Sequence, residues 1–295
     1  MIPAGVQFFP SAESISPVEF AYAAEERGFE SVFFPDHTHT PVGGASGWPS
    51  GAGVPEYYRT VMDPLVVLGA VAAATTAIRL GTAVCLVPQR DPIILAKQIA
   101  TLDRLSGGRV VFGVGAGWNE EEMHNHGTDP SRRFTLLRER IEAMTAIWTQ
   151  DEATYSGKLV HFAPLWSWPK PVQRPRPPVL LGGSGPRVLD RVVAYADGWI
   201  PYRDSTDQVT DRVSGDIEEF EPELTRRIGA LQEKAAAAGR GRIPVTLFNP
   251  CPHRAALERY RQMGIDRLVF WLPTESSAVT LRTLDDLAAL AGHGA

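Results

Sequence analysis

Residues 92–117, "PIILAKQIATLDRLSGGRVVFGVGAG", carry one complete unit of the architecture. Residues 92–106 open on a proline and read as a helix. Gly107-Gly108 stops it, because glycine tolerates the backbone reversal that ends a helix. Residues 109–117 then turn β-branched and aromatic before ending in glycines, which reads as a strand running into a loop. The question is how often this helix-then-strand unit repeats.

It repeats along the whole chain. Upstream, "GVQFF" (5–9) is a first strand, and a helix opens at Ser16-Pro17 and closes at Gly28. "SVFF" (31–34) is a second strand, residues 41–60 are a Gly/Pro-rich loop, and a helix over about 63–77 leads to a third strand, "IRLGTAVCLV" (78–87). Downstream, an amphipathic helix over about 131–149 sets Phe134, Leu137, Ile141, Met144 and Trp148 at helical spacing. Residues 150–178 break the rhythm with six prolines, which exclude a regular element. The beat resumes with "VLLGG" (179–183), helix 186–196, "GWIPY" (198–202), helices within 205–238, "VTLFN" (245–249), helix 253–263, "RLVFWL" (267–272) and a last helix.

Eight strands, each followed by a helix, imply parallel pairing and close most naturally into an α/β (β/α)8 TIM barrel. The expectation is one barrel domain over residues 1–295 with an insertion near 150–178. An open doubly wound sheet competes, but no Gly-x-Gly-x-x-Gly turn opens the first helix. A barrel gathers its active site at the C-terminal strand ends. Here those are 35–40, 84–91, 115–120, 182–185, 202–204, 249–253 and 272–275.

Composition narrows the class. The chain has 295 residues, 44% hydrophobic and 21% charged, with net charge −5 and pI near 5.8. That balance gives no basic footprint for nucleic acid, although 25 of the 29 Lys and Arg residues are Arg. Two cysteines, Cys85 and Cys251, are too few for a disulfide framework and point to a reducing cytoplasm. The N-terminus lacks the pattern of a signal peptide. The most membrane-like run, Pro64 to Ile78, is 15 residues, against roughly 17–25 for a span. A cytoplasmic protein acting on a small molecule is expected.

Three rim segments carry chemistry. "FFPDHTHT" (33–40) holds Asp36, His37 and His39 directly after a strand. Two histidines two apart can be metal ligands, acid/base groups or neither. A metal-dependent hydrolase of the barrel type needs further ligands from other strand ends. Strands five, six and eight offer Ser184, Arg203 and Glu275 but no histidine, and "HNH" (124–126) lies beyond strand four. No metal is expected. "LLGGSGPRVLDRV" (180–192) ends a strand in small residues before Pro186 starts a helix. It reads either as a tight turn or as a phosphate cradle at Gly182, Gly183, Ser184 and Gly185. "GVGAGWNEEE" (113–122) leaves room for a flat ligand at Gly115, with Trp118 either stacking on it or packing under the insertion. Glu120–Glu122 read as the acidic first turn of a helix, without a catalytic part.

Taken together these residues resemble the luciferase-like monooxygenase superfamily of flavin and deazaflavin enzymes. "QRDPIILAKQIATLDRLSGGRVVFGVGAGWNEEE" (89–122) matches its signature almost throughout. "FFPDHTHTP" (33–41), "PPVLLGGSG" (177–185), "YADGWIP" (195–201) and "GIDRLVFWLP" (264–273) follow in order. The "DHTH" form is most similar to the branch that uses coenzyme F420, an 8-hydroxy-5-deazaflavin. The resemblance implies a homodimer through early helices, with His37 as acid/base. It puts Asp36, Gly115 and Trp118 at the cofactor and Gly182–Gly185 at its phosphate. It further implies a non-prolyl cis peptide at Ala83–Val84 beneath the ring. His39 is open between the substrate side and the surface. The implied function is hydride transfer between F420 and a small organic substrate. The alternatives are a reduced-FMN monooxygenase, the metal hydrolase, and a flavin-binding protein without activity.

Overall fold

The computed structural model describes residues 1–43, 54–202 and 216–292. Its strands are β1 (Ala4–Gln7), β2 (Ser31–Phe34), β3 (Arg79–Thr82), β4 (Cys85–Leu86), β5 (Val110–Gly115), β6 (Ala153–Ser156), β7 (His161–Leu165), β8 (Val179–Gly182), β9 (Gly198–Ile200), β10 (Thr246–Phe248) and β11 (Arg267–Trp271). Eight of them pair in parallel in the order β10-β11-β1-β2-β3-β5-β8-β9. Bridges Trp199↔Val245 and Tyr202↔Phe248 bring the two ends together, making a nearly closed (β/α)8 barrel. All eight strands read from the sequence are present. The third is split: the Ala83–Val84 peptide is cis and non-prolyl, β3 ends just before it, and β4 resumes beside β5.

The surrounding helices are α1 (Pro17–Glu26), α2 (Tyr57–Thr60), α3 (Pro64–Ala74), α4 (Pro92–Leu105), α5 (Glu120–Asn125), α6 (Arg133–Thr149), α7 (Val188–Tyr195), α8 (Asp216–Ala237), α9 (Arg254–Gln262) and α10 (Ser277–Ala291). Alternation along each strand divides the core in two. Val32, Phe34, Val110, Phe112 and Val114 face outward under the helices. Phe33, Val111, Leu180, Ile200, Phe248 and Val269 fill the barrel itself, with Ala83 and Val84 packed on them. Burial on both faces is why these strands read as unbroken apolar runs.

Helix starts follow their caps. Asp63 accepts from the N–H groups of Leu65 and Val66, and Asp91 from those of Ile93 and Ile94, each with proline at the first helical position. Arg109, at the start of β5, donates to the carbonyls of Ala72, Thr75, Ile78 and Ser106. One guanidinium thus ties the ends of α3 and α4 to the barrel floor.

Three expectations need correction. The segment 150–178 is not free of regular structure: β6 and β7 form an antiparallel pair. Its turn is organised by Glu139 of α6, which accepts from the N–H groups of Lys158, Leu159 and Val160. Pro164 sits in β7 without breaking it, as proline can in an edge strand. The helix expected at 186–196 starts only at Val188. Within the 41–60 loop, α2 forms a single helical turn too short to show a period. Residues 44–53 of that loop, Arg203, and residues 203–215 of the expected helical region lie outside the described residues. No described helix is long and apolar enough to cross a membrane.

Candidate active site

The floor of the rim is built on Val84. A Cβ on Gly115 would come within 2.5 Å of Val84 Cγ2, and one on Gly182 within 3.0 Å of Val84 Cγ1. Both glycines therefore make room for this side chain, whereas the sequence suggested room for a ligand. Ala83 donates its N–H to Phe34 O at 2.8 Å, which seats the bulge against the end of β2.

Asp36 anchors the far side of the same bulge through Leu86. Its side chain is 2% exposed. Oδ2 accepts from Leu86 N (2.9 Å) and Arg90 Nε (2.8 Å), and Oδ1 accepts from Arg90 Nη2 (2.5 Å). Burial works against the Arg90 charge, but the bonds and charge of Asp36 outweigh it and hold Arg90 cationic. Arg90 also reaches Asp63 at 2.9 Å. Burial, reinforced by the charge of Asp36, pushes the Cys85 thiol well up, so it stays an unreactive core group.

His37 stands one residue on, at the end of β2. Its Nδ1 lies 2.9 Å from Glu122 Oε2, and Glu122 Oε1 accepts the Thr38 N–H at 3.2 Å. The side chains are 9% and 1% exposed. Glu120–Glu122 form the acidic first turn of α5, as expected; Asn119 caps it by accepting the Glu122 N–H, and within that turn the third glutamate is buried. The His37 ring is flanked by Tyr58 (centroids 4.8 Å) and Trp118 (6.1 Å). Trp118 therefore keeps company with His37. Phe9, Tyr57, Tyr58 and Trp271 continue this wall with centroid separations of 4.7–6.4 Å. Burial pushes the Tyr58 hydroxyl strongly upward, so it is a neutral phenol.

His39 lies one layer further out. Its Nδ1 meets Thr38 Oγ1 at 2.9 Å and its Nε2 meets Asn125 Nδ2 at 2.8 Å. Thr38 Oγ1 also meets His126 Nε2 at 2.7 Å. Burial and the adjacent His39 depress His126. Among the described residues no group of three His, Cys, Asp or Glu is placed to hold a metal ion.

The loop after β8 makes a second feature. Trp199 Nε1 donates to Gly183 O at 2.9 Å, and Arg227 donates to Ser184 O (2.6 Å) and Gly185 O (3.1 Å). In a planar trans peptide the N–H points opposite to the carbonyl. Holding the Gly183 and Ser184 carbonyls therefore turns the N–H groups of Ser184 and Gly185 the other way. Both residues are exposed, and a Cβ on Gly185 would meet nothing within 4 Å. The Gly183 N–H bonds Ile200 O, and φ at Gly183 is +139°. N–H groups turned away from these donors on exposed residues suit an anionic group.

The expected residues fall into one rim. Asp36, His37, Ala83, Val84, Gly115 and Trp118 come together, Gly182 joins through Val84, and Gly183–Gly185 form the adjoining loop. Sequence reading missed Arg90, Glu122, Tyr58, Trp199 and Arg227. The Asn119-to-Glu122 spacing marked a helix start, but nothing local pointed Glu122 at His37.

The model of the luciferase-like monooxygenase family matches residues 12–261. An uncharacterized protein of Mycobacterium tuberculosis is 43% identical over 97% of both chains. An F420-dependent glucose-6-phosphate dehydrogenase of Microbacterium testaceum is 29% identical over 97% of this chain and 78% of its own length. The crystal structure of the monooxygenase RslO1 from Streptomyces bottropensis superimposes with a TM-score of 0.78 at 19% identity. That likeness covers 99% of this chain and 100% of the other.

Asp36→Asn should destabilise the cofactor-free protein by about 3 kcal/mol, the low end for breaking a buried ion pair, since Asp63 still supports Arg90. Chemical denaturation measures this. An unchanged midpoint would show that Asp36 does not brace the bulge.

Proposed function

The chain belongs to the luciferase-like monooxygenase family of oxidoreductases, and from that premise we propose that it transfers a hydride between coenzyme F420 and a small organic substrate. The carrying observation is His37, held by a buried carboxylate beside the Val84 floor at the catalytic end of the barrel. The F420-dependent relative supports this choice of cofactor. A reduced-FMN monooxygenase is the second reading, favoured by the likeness to RslO1, a monooxygenase.

Bound F420 would supply two-electron hydride chemistry. Ala83 and Val84 would lie against its ring, with Gly115 and Trp118 at the edge. Ser184 and Gly185 would offer their N–H groups to the phosphate, in a turn shaped by Gly182 and Gly183. Asp36 would act through the bulge it braces. His37 would take up the substrate proton as the hydride leaves, or return it in the reverse direction. The aromatic wall of Phe9, Tyr57 and Trp271 suits the apolar part of a substrate. His39, with both ring nitrogens engaged, would touch substrate only through its ring face.

The functional unit in this reading is a homodimer of one-domain barrels. The α3 sequence, PLVVLGAVAAA, has no charged residue, although it lies in the outer ring. A helix apolar all round is ordinarily covered. Val66 is 75% exposed, Ala70 and Ala73 are exposed beside it, and Ile93 and Ile94 of the adjoining α4 enlarge the patch. A second copy, presenting the same patch across a twofold axis, would cover it.

Titration followed by F420 fluorescence should show tighter binding of F420 than of FMN. Tight FMN binding without F420 binding would move the assignment to the monooxygenase. His37→Ala should lower turnover by about 10²–10⁴-fold, the range for a general acid/base, and change F420 affinity far less. Equal losses in turnover and affinity would refute that role. In sedimentation, the wild-type chain should run as a dimer and Val66→Glu/Ala70→Glu as a monomer. A monomeric wild type would overturn the covered-face reading.

A further inference from the structure

We propose that Glu122 is a positioning residue for His37, which dictates the nitrogen of the ring that faces the substrate. The proposal rests on the reading of His37 as the proton-handling group. Burying a carboxylate costs free energy unless donors surround it. Glu122, 1% exposed, finds two from one dipeptide: the His37 ring through Oε2 and the Thr38 N–H through Oε1. The Thr38 bond alone would tie α5 to the end of β2. The His37 bond does something the tie does not require.

An ionised carboxylate only accepts hydrogen bonds, so His37 Nδ1 must carry the proton. Neutral imidazole has one N–H, which leaves Nε2 as a bare acceptor. Tyr58 and Trp118 stand against the ring at 4.8 and 6.1 Å between centroids and limit its reorientation. Nε2 is then the atom available to substrate. In the oxidation of an alcohol, whose carbon–hydrogen pair oxidised F420 would accept as hydride, the hydroxyl proton would move to His37 Nε2. The alcohol becomes a carbonyl and His37 an imidazolium whose charge is balanced by Glu122. In reduction, Nε2–H would return the proton to the carbonyl oxygen of a substrate accepting hydride from reduced F420. This is the arrangement in which a buried acid orients a histidine and stabilises its charged form without itself being protonated.

The test reads the tautomer directly, in cofactor-free protein, by nitrogen NMR of ¹⁵N-histidine with His37→Gln to assign the signals. Wild type should show the Nδ1–H form at His37. Glu122→Leu should swing it toward the Nε2–H form that a histidine side chain favours in water. In the F420 assay, Glu122→Leu should lose about 10- to 10²-fold in kcat, less than outright removal of a general acid/base. KM should move little, and Glu122→Asp should recover part of the loss. A wild-type ring protonated on Nε2, or a Glu122→Leu ring unchanged from wild type, overturns the proposal. If Glu122→Leu does not fold, the wild-type tautomer still decides. A correct tautomer together with absent F420 binding would sink the F420 reading and leave the positioning role standing.

Discussion

The buried pairing of Asp36 with Arg90 is the constraint on which the rim depends. A carboxylate 2% exposed and a guanidinium 14% exposed hold each other in place, and the same carboxylate takes the Leu86 N–H. That one group fastens the end of β2 to the far side of the Ala83–Val84 bulge. His37 follows Asp36 by one residue, so its starting position is inherited from this pair. Val84 precedes Leu86 by two, so the floor is inherited from it as well. Removing Arg90 leaves the buried Asp36 charge uncompensated, a larger effect than losing any single neutral hydrogen bond in the rim.

The barrel interior accommodates the floor by subtraction. A Cβ on Gly81 would lie 2.1 Å from the Phe33 ring, one on Gly113 2.1 Å from Thr82 O, and one on Gly198 2.6 Å from Leu180. Large side chains on β2 and β8 thus face glycines on neighbouring strands. Gly115 and Gly182 repeat the device one layer higher around Val84. What looks in the sequence like room for a ligand at Gly115 and Gly182 is in the fold close packing around Val84.

This separates what was legible in the sequence from what was not. The eight strands were legible because two-sided burial writes continuous apolar runs such as Val32–Phe34 and Val110–Phe112. The β6–β7 pair was not, because its turn is organised by Glu139, a residue of the preceding helix. The rim positions were legible from the strand ends. Glu122 was not: Glu120, Glu121 and Glu122 are identical as letters, and the turn of about 100° per residue around the helix decides which of them is buried. Arg90 was hidden likewise, since a basic residue before a helix gives no sign of a partner 54 positions earlier.

The two histidines of "DHTH" can now be told apart by counting protons. Asn125 Nδ2 donates to His39 Nε2, so Nε2 is bare and the neutral His39 ring carries its proton on Nδ1. That N–H must donate to Thr38 Oγ1. The single Thr38 hydroxyl proton is then left for His126 Nε2, which makes His126 the Nδ1–H form. The depressed basicity of His126, from burial and the His39 beside it, agrees with a neutral ring there. Both ring nitrogens of His39 are thereby engaged, in a chain of neutral groups. His37 has one nitrogen held by Glu122 and the other uncommitted among the described residues. The threonine between the two histidines keeps the two networks separate: its N–H serves Glu122 and its hydroxyl serves the outer pair.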